Sequence, residues 1–480
     1  QGEWPKAQEL LSKALFQWPE DVELQELQAL IHQHFGNIDA AKQVFISLLK
    51  HHPTLKTSLT SLSLIVVNEG HLDEGLNLVN RALEVDPGYA EALGIKAHIL
   101  YTQGHFAEAL KINQRLLQLK PNNYIIWNNT GNTLRDLGRF SEAEKHYKKA
   151  ITLSNSDSRP YANLLTTMHY HPETSRELIQ QACLDWEKLY APKSPPRAIA
   201  QDKRAGRCLK IGMISDGFRN HPVGRMIIAA LERLPRHAYT LCAYSSNNVQ
   251  DNISQRFKAI CEWDLVNHLT DNQLAQRIRD DKIDILIDLA GYHSNTRMAT
   301  MATQPAPLLV KWVGGLINTT GLSTIDYLIS DWTESPAGED TYYTEKLIRM
   351  PDDYICYEPP SYIAEVDALP AVKNGHITLG CFNNPTKINE PLLKQWAEIM
   401  QRLPSSKLFL KGKQYSSEEF CERIINIMQS TGIDASRLIF EGQTPHTDVF
   451  KAYNRVDIAL DTWPYSGGLT TCEAFAMGVP

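Results

Sequence analysis

Two kinds of hydrophobic pattern divide the chain. Over the first third, apolar residues recur at helical spacing; Phe140, Ala143, Tyr147 and Ala150, for example, fall on one helix face. The pattern also returns at a fixed period. Glycines stand at Gly2, Gly36, Gly70, Gly104 and Gly138, prolines at Pro19, Pro53, Pro87 and Pro121, and small residues at Ala7, Ala41, Gly75, Ala109 and Ala143, each series stepping by 34 residues. Such a ladder predicts stacked helical hairpins. Each glycine ends the first helix of a pair, where a left-handed backbone costs least. The small residue sits where the two helices touch, and the proline stops the second helix. One hairpin cannot bury its apolar face alone, so neighbours complete the core.

After Ser154 the period is lost. A turn cluster, Ser154 to Pro160, precedes a helix over Tyr161 to Tyr170, and a second helix runs to Tyr190 with Thr174 or Ser175 as its cap. The proline-rich stretch Ala191 to Arg197 marks a boundary. Short apolar runs then alternate with helical segments. Strands are predicted over 209–214, 238–244, 283–289, 309–313 and 325–329, and a second series over 377–382, 408–410, 438–440 and 458–460. Near-continuous apolar strands between helices predict parallel sheets covered on both faces. The stretch Glu358 to Pro370 separates the two series, so two Rossmann-like domains with a cleft between them are expected. The predicted organisation is a repeat array over 1–172, a helical linker over 173–200, and Rossmann-like domains over 201–370 and 371–480.

Composition narrows the function classes. The chain has 480 residues, 43% hydrophobic and 21% charged, which excludes wholesale disorder. A net charge of −7 removes weight from nucleic-acid binding. The longest apolar run, Leu308 to Ile317, is broken by Lys311, so no membrane span and no membrane partner is expected. Eight cysteines stand apart, none as C-x-x-C, which predicts free thiols in a reducing, cytoplasmic setting rather than a zinc site or disulfide scaffold. The chain opens on Gln1 and stops at Pro480 in mid-pattern; a piece of a longer protein, with the array extending upstream and the last domain truncated, is expected.

Ligands of parallel sheets bind beyond the carboxyl ends of the strands, so the loops there hold the candidate chemistry. The last strand runs through Asp461 into a loop with Gly467 and Gly468 and then Thr470-Thr471 at a helix start. Helix-terminal amides plus two hydroxyls suit a diphosphate, and Glu473 can accept from ribose hydroxyls. The alternative is a capping box of Thr470 with Glu473. Lys387, after the first strand of the second series, can neutralise a leaving phosphate or stand as a solvated charge. His221, after the first strand of the first series, can act as base or orienting donor, or merely cap a helix. Arg297 is a weaker anion candidate. Asn129 and Asn163, also 34 apart, can bond an extended peptide backbone from a concave repeat surface, or can be solvated. No Asp-x-Asp triplet occurs, which fits a diphosphate site served by Lys387 and amides without a metal.

The repeats resemble tetratricopeptide repeats. Behind them, Asn220-His221-Pro222, Asp288-Leu289-Ala290-Gly291-Tyr292, Pro305-Ala306-Pro307, Ile325-Asp326-Tyr327, Phe382-Asn383-Asn384 with Lys387, and Leu460-Asp461-Thr462 through Thr470-Thr471-Cys472-Glu473-Ala474 occur in order. Together with His171-Pro172 they resemble the O-linked N-acetylglucosamine transferase and SPINDLY-like family, bacterial branch. The resemblance implies a GT-B region of two Rossmann-like domains. It also implies an inverting, metal-independent transfer of a sugar, GlcNAc from UDP-GlcNAc first and GDP-fucose as the alternative, to Ser or Thr of polypeptides, with no cofactor. By resemblance, His221 is the active-site histidine, Lys387 the lysine on the diphosphate with Asn384 beside it, Thr470 and Thr471 the phosphate pair, and Glu473 the ribose acid. The base remains open among His221, a water chain and a donor phosphate oxygen. Leu469 and Val449 stand where animal members carry histidines, and no large insert separates the two halves. A scaffold with an inactive transferase half is the rival reading, and the repeats allow oligomers.

Overall fold

The computed structural model describes residues 3–154, 156–192, 196–200, 202, 204–293, 295–315 and 318–480. Gly2 and residues 193–195 of the proline-rich stretch lie outside them. The chain divides into two compact units between Leu137 and Gly138.

The first unit holds helices α1 (Glu3–Gln17), α2 (Val22–His34), α3 (Ile38–His51), α4 (Lys56–Asn68), α5 (Leu72–Val85), α6 (Ala90–Gln103), α7 (Phe106–Leu119) and α8 (Tyr124–Asp136). The ladder acts as the period predicts. Gly36, Gly70 and Gly104 take φ of 78°, 95° and 92° after α2, α4 and α6, and Pro53, Pro87 and Pro121 follow α3, α5 and α7. The helices of a pair close on small residues. A Cβ on Gly75 would stand 2.4 Å from Val67 Cγ2, and Ala41 and Ala109 are fully buried. Phe45, Leu59, Leu62 and Leu78 fill the space between hairpins.

The second unit begins with α9 (Phe140–Leu153), α10 (Arg159–Tyr170) and α11 (Arg176–Tyr190), the last capped by Ser175. The first sheet region holds β1 (Leu209–Ser215), α12 (Pro222–Glu232), β2 (Tyr239–Ser245), α13 (Asn252–Ile260), β3 (Glu262–Leu265), α14 (Asp271–Asp280), β4 (Ile285–Asp288), α15 (Met298–Ala302), β5 (Leu308–Trp312), β6 (Tyr327–Asp331) and β7 (Lys346–Met350). The second holds α16 (Pro370–Asn374), β8 (Thr378–Cys381), α17 (Glu390–Arg402), β9 (Lys407–Lys411), α18 (Glu418–Ser430), β10 (Leu438–Glu441), α19 (His446–Tyr453), β11 (Ile458–Ala459) and α20 (Leu469–Ala476). The sheets run β3-β2-β1-β4-β5-β6-β7 and β10-β9-β8-β11, and every recorded pairing is parallel. Alternate strand residues serve opposite faces. Met213 packs with Val223 and Ile227 of α12, whereas its neighbour Ile214 packs with Leu274 and Ile278 of α14.

The compact division falls at 137, not at the end of the array expected at 172. The cause is packing. Tyr161, Leu165, Ile179, Cys183 and Trp186 of α10 and α11 share one buried cluster with Ile214, Tyr244 and Leu286 of the first sheet. Trp186 is 1% exposed, with its ring centroid 5.1 Å from that of Tyr292. Truncating such an aromatic costs about 3–5 kcal/mol. The segment expected as a linker is therefore a wall of the α/β region. Among the described residues no helix is long and apolar enough to cross a membrane.

Candidate functional site

The strand order marks where to look. In the second sheet β8 lies between β9 and β11, so the connections after β8 and β11 leave in opposite directions and open a crevice. The loop after β8 is short and rigid. Asn384 caps a single 3-10 turn over Pro385–Lys387, its Oδ1 accepting the Thr386 N–H at 3.1 Å. That turn sends the Lys387 side chain towards the loop after β11. Its Nζ donates to Ser466 O at 2.7 Å, stands 4.5 Å from the centre of the Tyr465 ring, and reaches Asn383 Oδ1 at 3.4 Å. Burial pulls the Lys387 pKa down to about 8, against the opposing pull of Asp461.

The facing loop is folded around Asp461. One oxygen, Oδ1, accepts the N–H groups of Thr462 at 2.8 Å and Gly467 at 2.7 Å, and the Asn383 amide at 3.4 Å. Gly467 is held against the cluster: a Cβ there would stand 2.5 Å from Thr471 Oγ1 and 2.9 Å from Asn383 Nδ2. Thr470 Oγ1 donates to Asn383 Oδ1 at 2.9 Å. Lys387 and the Thr470-Thr471 turn thus meet on one buried amide, Asn383. Helix α20 starts after Gly468 with no side-chain cap. The capping box does not form, because Gly468 is the cap and Thr470 already lies inside the helix; its hydroxyl goes to Asn383, and Glu473 to His446. A helix start, an ammonium and hydroxyls gathered this way can receive an anion.

Glu473, 3% exposed, accepts from His446 Nε2 at 2.8 Å. His446 Nδ1 meets the Tyr362 hydroxyl at 2.9 Å, Tyr362 accepts from Arg225 Nη2, and Arg225 Nε donates to Asn220 Oδ1 at 2.6 Å. The chain of bonds runs from the loop after β1 to α20, so it ties one sheet region to the other. His221 sits in that loop as the cap of α12, its Nδ1 accepting the Val223 N–H at 3.3 Å. Burial lowers its pKa, with Asp216 opposing and Arg219 adding to the effect. α12 and the start of α20 face each other, since Leu469 packs against the cluster of Val223, Met226 and Ile227.

Several predicted residues fall elsewhere. Asn384 is exposed and turned to its own 3-10 turn and to Gln414, so the amide beside Lys387 is Asn383. Arg297 is no free anion site: its guanidinium donates to Val266 O and Leu269 O at 2.9 Å each, bracing a loop. Asn129 is exposed beside a cavity of the first unit, with Ile95, His98, Tyr101 and Ile126 on the wall. Asn163 is half-buried on α10 of the second unit. Asn383, Asp461, Tyr465 and His446 carried no assigned role in the sequence reading, although Asn383 and Asp461 stand in its motifs. A strand end followed by Asp and, six residues on, Gly is an Asx-type turn signal that points to Asp461. Among the described residues no group of three or more His, Cys, Asp or Glu is placed to hold a metal ion.

A chain with helical repeats followed by this crevice between two parallel sheets is matched by known sequences. Residues 167–358 and 368–480 match the model of glycosyl transferase family 41, and tetratricopeptide-repeat models match 1–53, 67–130 and 124–157. The chain belongs to glycosyl transferase family 41. It is 34% identical over 326 residues to a probable UDP-N-acetylglucosamine–peptide N-acetylglucosaminyltransferase SPINDLY of Solanum lycopersicum, covering 66% of this chain and 35% of that protein. It is 28% identical over 303 residues to the corresponding probable transferase SEC of Arabidopsis thaliana, covering 60% of this chain and 30% of that one. The chain therefore spans about a third of the length of these curated relatives. The structure of a mutant O-GlcNAc transferase of Thermobaculum terrenum superposes with a TM-score of 0.82 at 32% identity, over 88% of this chain and 81% of that one.

Proposed function

We propose that this chain transfers a sugar from a nucleoside diphosphate donor to Ser or Thr hydroxyls of polypeptides, with inversion and without a metal. The observation that carries the reading is the junction of Lys387 and Thr470 on Asn383 beside the uncapped start of α20. In an in-line displacement at the anomeric carbon the diphosphate gains charge as it leaves. Lys387 and the α20 amides meet that charge with donors already in place, worth about 3–4 kcal/mol for a key donor. Glu473, oriented by His446, is assigned to the ribose. His221 spends Nδ1 on the helix cap, so Nε2 is the nitrogen assigned to acceptor or sugar. UDP-GlcNAc is the donor assigned first, in keeping with the names of the relatives. GDP-fucose stays in the test because Leu469 and Val449 depart from the animal pattern beside the diphosphate and the base.

Acceptor peptides are assigned to the repeats, supported by Asn129 at the cavity of the first unit. A cytoplasmic setting is supported by eight unpaired cysteines. Mass spectrometry of a peptide library with UDP-GlcNAc and with GDP-fucose, in EDTA, tests the proposal. Transfer from one donor, lost in Lys387→Ala, is the outcome expected. No transfer, and no binding of UDP or GDP, would leave a repeat scaffold with an idle transferase half.

A further inference from the structure

The connection between the two sheets carries a side chain that the proposed reaction leaves without a role. Tyr362 stands between β7 and α16, in neither sheet, and is 37% exposed. Its ring meets His446 and Phe450 of α19 edge to face, with centroids 5.8 and 6.3 Å away. Its hydroxyl touches one residue from each region: Arg225 Nη2 of α12, and His446 Nδ1 of α19 at 2.9 Å.

The direction of every hydrogen bond along this line follows from its first member. Arg225 is 4% exposed, and its Nε donates to Asn220 Oδ1 at 2.6 Å. Its backbone N–H donates to His221 O at 3.0 Å, so the line starts one helical turn from that histidine. A guanidinium only donates, so the Tyr362 oxygen accepts from Arg225 and keeps its own hydrogen for His446. Nδ1 then accepts, and the ring hydrogen falls on Nε2, which meets Glu473 Oε1 at 2.8 Å. A ring held at both nitrogens can neither flip nor tilt, which is how a third group orients a histidine in an active site. Glu473 is 3% exposed; its Oε2 has no partner among the described residues and is not sealed from solvent.

We infer that Tyr362 is a positioning residue for the nucleotide: its hydroxyl locks His446, His446 holds Glu473 Oε1, and Oε2 is left to accept from the vicinal hydroxyls of the donor's ribose. The inference rests on the transferase reading above, with Glu473 as its ribose acid. Tyr362 acts through His446 and not by contact with the donor.

Tyr362→Phe keeps the ring contacts and removes the hydroxyl. Wild type and variant, as full chains, are titrated calorimetrically with UDP and GDP and with their dideoxyribose analogues. Tyr362→Phe is expected to weaken the nucleoside diphosphate that wild type binds by at least about fivefold, and the dideoxyribose analogue by less than about twofold. In Glu473→Gln the same substitution is expected to change affinity by less than about twofold, because the carboxylate it positions is gone. Nitrogen-15 spectra of histidine-labelled wild type, with the signals assigned by their loss in His446→Gln, are expected to show hydrogen on Nε2 and an accepting Nδ1. Equal weakening of the nucleotide and its dideoxyribose analogue overturns the inference, since it marks a structural role. So do an unchanged affinity, a loss that persists in Glu473→Gln, and a His446 ring with hydrogen on Nδ1. A wild type that binds UDP or GDP no better than the dideoxyribose form removes the ribose assignment and this role with it. A wild type that binds neither nucleotide overturns the transferase reading itself.

Discussion

The two sheet regions each withdraw a lysine from water, and they treat it in opposite ways. Lys311, in β5 of the first, is 3% exposed. Its Nζ donates to Val313 O and to Gly314 O, the latter at 2.6 Å, with Asp288 Oδ2 at 3.5 Å. Lys387, after β8 of the second, has one full hydrogen bond, one stretched contact at 3.4 Å and an aromatic face. A buried charge with a complete set of partners holds a fold together. One with an incomplete set, beside an uncapped helix start, can take an anion.

Exchanging the fates of these two lysines is the hardest blow to the contrast. Lys311→Ala leaves Asp288 buried without its cation and is expected to destabilise the fold by about 3–5 kcal/mol, read by denaturant unfolding. Lys387→Ala is expected to lower kcat/KM by about 100-fold or more with the unfolding midpoint nearly unchanged. A stability loss at Lys387, or a catalytic loss at Lys311 beyond the unfolded fraction, would erase the distinction.

The histidine of the first region gives a finer separation. His221→Asn keeps a capping acceptor for α12, so stability should change by less than about 1 kcal/mol. If Nε2 serves the reaction, transfer should fall by roughly 100-fold in the same protein. A variant with normal transfer would reduce His221 to the cap that its Nδ1 already makes.

Gly467→Ala sharpens the other side. The added Cβ meets Thr471 Oγ1 at 2.5 Å and the Asn383 amide, a strain of about 1–3 kcal/mol placed on the cluster. Nucleotide affinity should weaken by about tenfold, whereas alanine at Gly94, a helical position where no atom stands within 4 Å, should leave it unchanged.

The smallest effect is in pH. In the proposed reaction Lys387 meets the diphosphate as a cation, and burial pulls its pKa down to about 8. The charged form is complete well below that value and is lost above it. A plot of kcat/KM should therefore bend downwards above about pH 8; a profile flat to pH 10 would place the ammonium in ordinary solvent.

The architecture was legible because its signals are periodic. The 34-residue ladder announced the hairpins, and continuous apolar runs announced the inner strands. Strands β3 and β7 were missed for the same reason in reverse. Glu262–Leu265 carries two acids in four residues, and Lys346–Met350 leaves Lys346, Ile348 and Met350 exposed in alternation, as befits the sheet edges. The site was legible as far as loops after strands. Lys387, Thr470 and Thr471 do converge, but the amide between them is Asn383. Adjacent asparagines leave a strand on opposite sides, and only the folded strand decides which one faces the crevice. His446 was equally hidden, since its tie to Glu473 spans 27 residues and two helices. The compact division at 137 was not legible, because α10 and α11 carry an apolar stripe that any large surface can cover; here the first sheet covers it.

Calorimetric titration of UDP and GDP, in EDTA, into the wild-type chain and into Lys387→Ala reads the anion crevice with no acceptor or sugar needed. One nucleotide should bind the wild type without a divalent cation, and at least about tenfold more weakly to a variant of equal stability. Equal affinity in both proteins, or binding that appears only when a divalent metal is added, would contradict the account.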